Sequence, residues 1–394
     1  PRRVREFVDS TDPKKREKLI EMLLNSPEFV DFWVFRFSDL FRVQGSYGWI
    51  LPFWEWVRQS VATNKPYDQM AREAIAVQDY GGPAHKHMVG TNNPSPVEQI
   101  LNETIRVYMG RRLDCAQCHN HPSDRWTQNQ YWGLAAFFGR LTNTGWNHDN
   151  VVFDDVNGHE EDYVENDPEL RFRKVIHPRN KESVLPTFLD GTLLPSDRGE
   201  DPRMELARWI TSHPYFAEAA ANRIWSYFFG RGLVDPVDDF RLGNPATHPQ
   251  LLEALASSLR EQDYDLKHLI RLIVTSRTYQ LSSWTNPSNR LDRINYSHAL
   301  PRPLAPAVLL DAISQVTRVP EVFGKMPVGT KAIELCFPSE SSFLDIFGTP
   351  QRDVVPEPGG KPSLGQALHM FAGETFNQKL SKEGGFLARI VESD

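Results

Sequence analysis

Cysteine is scarce, with three residues in a chain of 394, and two of them fall within one five-residue window. That usage excludes a disulfide-stapled scaffold and points to chemistry at Cys115 and Cys118. Cys336 stands alone and reads as a small buried apolar side chain. No run approaches the roughly 18 consecutive apolar residues of a membrane-spanning helix. Positive charge is not in excess either: Lys and Arg total 44 against 51 Asp and Glu, a formal net charge of −7. Such a balance offers no electrostatic footprint for nucleic acid. There is no G-x-S-x-G, no H-E-x-x-H, no phosphate-cradling glycine loop, no internal repeat and no low-complexity tract, so the usual hydrolase, metalloprotease and nucleotide-binding signatures are missing. An initiator Met and a signal peptide are not seen. The chain opens Pro1-Arg2-Arg3, which reads as a processed or truncated start.

What is present is material for packed cores: 40% hydrophobic residues, with 10 Trp and 23 Phe. The length allows two or three domains. Apolar residues recur at helical spacing from Leu19 through Phe41, interrupted at Asn25-Ser26-Pro27, which predicts two packed helices. Further helices are expected at 51–63, 66–77 and 97–111. Acidic clusters and short β-branched runs then predict strands and loops over 145–200. Beyond Asp201-Pro202, the pairs His213-Pro214 and His248-Pro249 and the residue Asp265 mark helix starts, and four helices fit 201–282. Helices at 304–317 and 362–372 flank an irregular Gly- and Pro-rich stretch, 320–361. The expected fold class is mainly α, in three parts: a helical domain at 1–144, a β/loop connector at 145–200 and a second helical domain at 201–394.

Cys115-Ala116-Gln117-Cys118-His119 has the C-x-x-C-H spacing of c-type haem attachment. Two thiols three residues apart on a helical turn can each join one haem vinyl group, while the next imidazole ligates the iron. The expected cofactor is covalent haem c, with His119 as proximal ligand. Two other readings use the same residues. Cys115 and Cys118 can form a disulfide or redox pair, although the helical flank is unlike the strand that precedes thioredoxin-type motifs. Zinc can recruit Cys115, Cys118, His119 and His121, although four ligands within seven residues are hard to set tetrahedrally. The distal iron ligand is open. His121 and Met109 lie too near the motif to reach the opposite ring face easily, and the remaining candidates are His87, Met88, His177, Met204, Met326 and Met370. Trp132, Phe137 and Phe138 read equally well as a haem wall or as ordinary helix core. His121, Asp124 and Trp126 are candidates for supporting contacts to a propionate or to a ligating imidazole. The acidic stretch Asp154, Asp155, Asn157, Glu160 offers oxygen ligands for Ca²⁺ without EF-hand order, and a solvated loop is the better reading.

The run from Arg112 through Cys115-Ala116-Gln117-Cys118-His119 and His121-Pro122 to Trp126-Thr127-Gln128, continuing to Leu134 and Phe138, resembles the planctomycete-type cytochrome-c-like domain. That family's signature is C-A-Q-C-H-D-H-P-x-D-x-W-T-Q followed by an aromatic helix. Downstream, Arg208-Trp209-Ile210, Asn222-Arg223-Ile224-Trp225, Phe229-Gly230-Arg231-Gly232 and Asp238-Asp239-Phe240 resemble the domain that usually follows it. Both families are of unknown function. The resemblance implies an exported protein of the periplasm or cell surface, near polysaccharide metabolism, with a redox partner protein and polysaccharide as expected partners. Two departures stand out: Asn120 replaces the family's Asp, and Asp353-Val354-Val355-Pro356-Glu357 stands where a Cys-x-Cys element is common. The leading expectation is a monohaem protein in electron transfer or haem-linked oxidation. The alternative is a polysaccharide-processing hydrolase with Asp238 and Asp239 as its carboxylates and Arg223 and Arg231 nearby, or a carbohydrate-binding scaffold; in either, the Cys/His cluster is a structural metal site or disulfide.

Overall fold

The computed structural model describes residues 2–43, 47–76, 97–139, 141–143, 151–153, 175–194, 201–324, 326–336, 341–349, 352 and 363–392. Helices dominate. The chain begins with α1 (Arg2–Asp9), α2 (Lys15–Leu24), α3 (Pro27–Leu40), α4 (Tyr47–Ala62), α5 (Tyr67–Ala76) and α6 (Val97–Met109). The break expected at Asn25-Ser26-Pro27 is a helix start: Pro27 fills the first turn and the Ser26 hydroxyl accepts the Phe29 N–H at 3.2 Å. A 3₁₀ turn, Asp114–Gln117, carries the cysteine motif and leads into α7 (Gln128–Ala135). Two small antiparallel ribbons follow, β1 (Leu141–Asn143) with β2 (Val151–Phe153) and β3 (Val175–Ile176) with β4 (Ser183–Val184).

The second helical block contains α8 (Pro202–Ser212), α9 (Pro214–Phe229), α10 (Pro249–Glu261) and α11 (Leu266–Thr275), the four helices expected there. Each has the predicted X-Pro or Asp start; Asp265, for example, accepts the His268 N–H at 3.0 Å. α12 (Pro306–Thr317), α13 (Ser342–Phe347), α14 (Leu364–Ala372), α15 (Glu374–Ser381) and α16 (Phe386–Val391) complete the chain. α13 interrupts the stretch expected to be irregular. It is six residues long, capped by Ser341 and ended by Gly348 at φ +78°, too short for a periodic signal to rise above its Gly and Pro surroundings.

Helices from both sides of the connector share one core. α5 packs on α8, and α6 packs on α9. A single hydrophobic cluster runs from Leu24 to Cys336 and includes Phe41, Tyr108, Phe137, Phe216 and Trp225. A second cluster joins Phe35 of α3 to Leu310, Phe323, Phe343 and Leu344. Among the described residues, no helix is long and apolar enough to cross a membrane.

Candidate functional site

The segment entering the motif is held at several points by the second helical block. α6 ends at Gly110, whose φ of +63° is left-handed and whose missing Cβ leaves room for the Phe240 ring, 2.9 Å from where that atom would sit. The Gly110 carbonyl accepts the Phe240 N–H at 2.9 Å. Gly110→Ala is therefore expected to lower stability by about 1–2 kcal/mol from backbone strain alone, before the ring clash adds to it; a shift in the denaturant midpoint reads this directly. Arg111 donates to the Phe240 carbonyl at 2.5 Å. Arg112 and Arg106 both bind Asp238, Arg112 through Nη2 at 2.7 Å to one carboxylate oxygen and Arg106 through Nε at 2.8 Å to the other.

Cys115 lies within the 3₁₀ turn and Cys118 caps its C-terminal end. Both thiols are free and exposed, while Ala116 between them is buried in the main core. The expected helical turn is of the 3₁₀ kind. It is fixed from below, because the Gln117 carbonyl accepts both the Gln128 side-chain N–H and the Trp132 indole N–H, each at 3.0 Å. Trp132, Phe137 and Phe138 are buried core residues, so the helix-core reading of them holds. Trp132 acts on the motif from beneath by holding the Gln117 carbonyl.

His119 is exposed, and its Nδ1 lies 2.7 Å from the Asn120 carbonyl oxygen. A carbonyl only accepts, so Nδ1 carries the proton and Nε2 presents its lone pair outward. His121 has the opposite arrangement: its Nδ1 accepts the Ser123 N–H at 3.3 Å, which leaves Nε2–H as a donor. His121 N–H also donates to the Trp126 carbonyl at 2.7 Å, closing the loop, and Asp124 accepts the Arg125 N–H at 2.8 Å. Trp126 is buried, and among the described residues its indole nitrogen has no hydrogen-bond partner. The Asn120 side-chain oxygen accepts the Gln128 N–H at 3.0 Å. An aspartate would supply the same acceptor, so this departure from the family signature leaves the loop's structure intact.

The structure thus gathers Cys115, Cys118, His119, His121, Asp124 and Trp126 into one loop. His87, Met88, the acidic stretch Asp154 to Glu160 and the segment Asp353 to Glu357 lie outside the described residues. Met204 is on the exposed side of α8. Met326 and Met370 pack on the second cluster, in which no motif residue takes part, and Met109 is buried in the main core. His177 is buried beside Trp132, ring centroids 6.4 Å apart, and its Nδ1 accepts the Arg179 N–H at 3.3 Å. In that tautomer its Nε2 bears the proton. Among the described residues, no three His, Cys, Asp or Glu side chains converge as a metal site requires, so a zinc cage of Cys115, Cys118, His119 and His121 is not assembled.

Asp238 and Asp239 do not form a catalytic pair. Burial alone would push the Asp238 carboxyl up, but hydrogen bonds and charge from Arg112 and Arg106 outweigh it and hold the group below the usual carboxylate range. Both oxygens are engaged. Asp239 pairs with Arg241 at 3.2 Å.

Sequence reasoning passed over the cationic side of the loop. Arg111 stacks its guanidinium 3.4 Å from the Tyr215 ring centroid, and Arg125 hydrogen-bonds the Tyr215 hydroxyl while lying over Trp126. Arg125 stands inside the motif run, but nothing in the sequence signals that Tyr215, ninety positions on, meets it.

Residues 1–143 match the family model PSCyt2, a protein of unknown function (DUF1549). Residues 202–333 match PSD1, a protein of unknown function (DUF1553). No curated protein and no solved structure matches the chain. The first matched segment thus belongs to the planctomycete cytochrome-c-like family and the second to the family of its partner domain, both of unknown function.

Proposed function

We propose that this chain is an exported c-type monohaem protein that works in electron transfer. The observation that carries the reading is the His119 tautomer: Nδ1 is spent on the Asn120 carbonyl at 2.7 Å, which leaves Nε2 free as a metal ligand beside two free, exposed thiols. Orientation of a ligating imidazole through its other nitrogen is the usual supporting contact at metal and haem sites. Cys115 and Cys118 would hold the group as thioethers, each thiol adding across one vinyl with its proton passing to the vinyl carbon. Bound haem supplies a one-electron couple at its iron. The chain's own contribution is a turn fixed by Gln128 and Trp132 and a loop closed between His121 and Trp126.

The triad is exposed, which suits docking of a redox partner through a small interface, as is normal for electron transfer. Location in the periplasm or at the cell surface, and a place in polysaccharide oxidation, follow from the family resemblance and belong to the same proposal. The test is expression of the chain with c-type haem maturation, followed by a reduced absorption spectrum, pyridine haemochrome and intact mass. The expected result is a c-type haemochrome and a mass gain of about one haem, abolished in Cys115→Ser/Cys118→Ser. A colourless protein of unmodified mass would overturn the reading.

A further inference from the structure

Charged side chains drawn into a protein surface are normally paired, because an uncompensated guanidinium is costly to desolvate. Two arginines near the motif obey this: Arg106 and Arg112 share Asp238. Arg111 and Arg125 do not. Among the described residues, neither lies within ion-pair distance of a carboxylate. Arg111 is half-buried, with its Nε fully buried and unpartnered. Its guanidinium meets the Phe240 carbonyl and ring and the face of Tyr215. Arg125 is exposed and donates to the hydroxyl of the same tyrosine. Two like charges therefore meet on one phenol ring.

The surroundings agree. Arg111 feels Asp124 and Glu218 only at a distance, and Arg125 opposes its charge. His213, in ring contact with Tyr215 at 4.2 Å, is kept below the usual imidazole range, first by burial and then by Arg111 and Arg125. One of these guanidiniums stands four residues before Cys115 and the other six after His119, so the cationic spot brackets the attachment turn.

We infer that Arg111 and Arg125, set on Tyr215, form a carboxylate-binding site that takes a propionate of the haem attached at Cys115 and Cys118. The inference rests on the haem reading, and its test separates the two. Full-length apo-protein is titrated with haem and with haem dimethyl ester, whose propionates are blocked, and binding is followed by absorbance. Wild type is expected to bind the ester roughly tenfold or more weakly than haem, the scale of one charge-assisted hydrogen bond. Arg125→Gln should weaken haem to the level of the ester and leave the ester unchanged, while Arg125→Lys restores part of the difference. Arg125 is exposed, so these variants fold. Equal binding of haem and ester by wild type, or equal weakening of both by Arg125→Gln, overturns the carboxylate site while the haem reading stands. Binding of neither overturns both. Succinate bound through Arg125, with no discrimination between haem and ester, would assign the carboxylate to a free molecule and overturn the propionate assignment.

Discussion

Replacing Asp238 with alanine is expected to lower the unfolding free energy by about 3 kcal/mol. Breaking a buried ion pair by removing one partner costs roughly 3–5 kcal/mol, because the remaining charge is stranded. The lower end applies because the two arginines are not deeply buried: the side chains of Arg106 and Arg112 are 18% and 33% exposed, against 3% for Asp238. Water can reach them when the carboxylate is gone. Asp238→Asn, which keeps an acceptor, should cost less. The pH dependence gives an independent check. Arg112 and Arg106 overcome the effect of burial and hold the folded carboxyl below its ordinary value. The unfolded state therefore binds the proton more tightly, and the group stabilises the fold above its unfolded pKa of about 4, losing that contribution as pH falls toward the lower folded value. Asp238→Ala should flatten the acid limb of the stability curve below about pH 4. Glu103 works in the opposite sense: burial raises it against the pull of Arg42 and Arg106, so its contribution declines as pH rises from its unfolded value to the raised folded one. An unchanged acid limb in Asp238→Ala would mean that the pair carries no net stability. The consequence for function lies in Arg112, three residues before Cys115. Freed from Asp238, the entry to the motif should exchange its amide hydrogens faster.

What the sequence makes legible follows from which interactions are local. Ser26-Pro27, Asp201-Pro202 and His213-Pro214 announce helices because a cap and the proline beside it act within one turn. The cysteine motif is legible for the same reason, since its two thiols and its imidazole come from five consecutive residues. The 3₁₀ form of that turn is not legible, because it depends on Gln128 and Trp132 holding the Gln117 carbonyl from a separate helix. Asp238 illustrates the same limit. Beside Asp239 it reads as one of a pair of carboxylates, and only the fold shows that both its oxygens are taken by arginines more than a hundred positions away. The histidine tautomers also need geometry: His119 and His121 are two residues apart, yet one presents a lone pair at Nε2 and the other a proton.

The two matched segments are expected to unfold together, and Phe216 is the residue that tests this. It is fully buried in α9, within the segment 202–333. Its ring stacks on Tyr67 at 5.3 Å and meets Tyr108 at 6.4 Å, both from the segment 1–143, and lies 5.2 Å from Tyr264 on its own side. Removing a buried phenylalanine ring costs about 3–5 kcal/mol, combining lost transfer energy with the cavity left behind. Aromatic contacts to three neighbours place this site toward the upper half of that range, since each pair adds about 0.5–1.5 kcal/mol beyond simple burial. Tyr67 and Tyr108 are packed by other rings, Phe37 and Phe41 among them, so the cavity has rigid walls and little scope to collapse. Phe216→Ala should therefore shift a single calorimetric transition to lower temperature, because the lost contacts belong to a core built from both segments. Two resolved transitions, with only the one assigned to 202–333 moved, would show that the segments melt independently and that contacts across the α5, α6 and α9 interface contribute little. One shifted transition would mean that the cysteine loop, held by Asp238 and Phe240, keeps its shape only while the partner segment is folded.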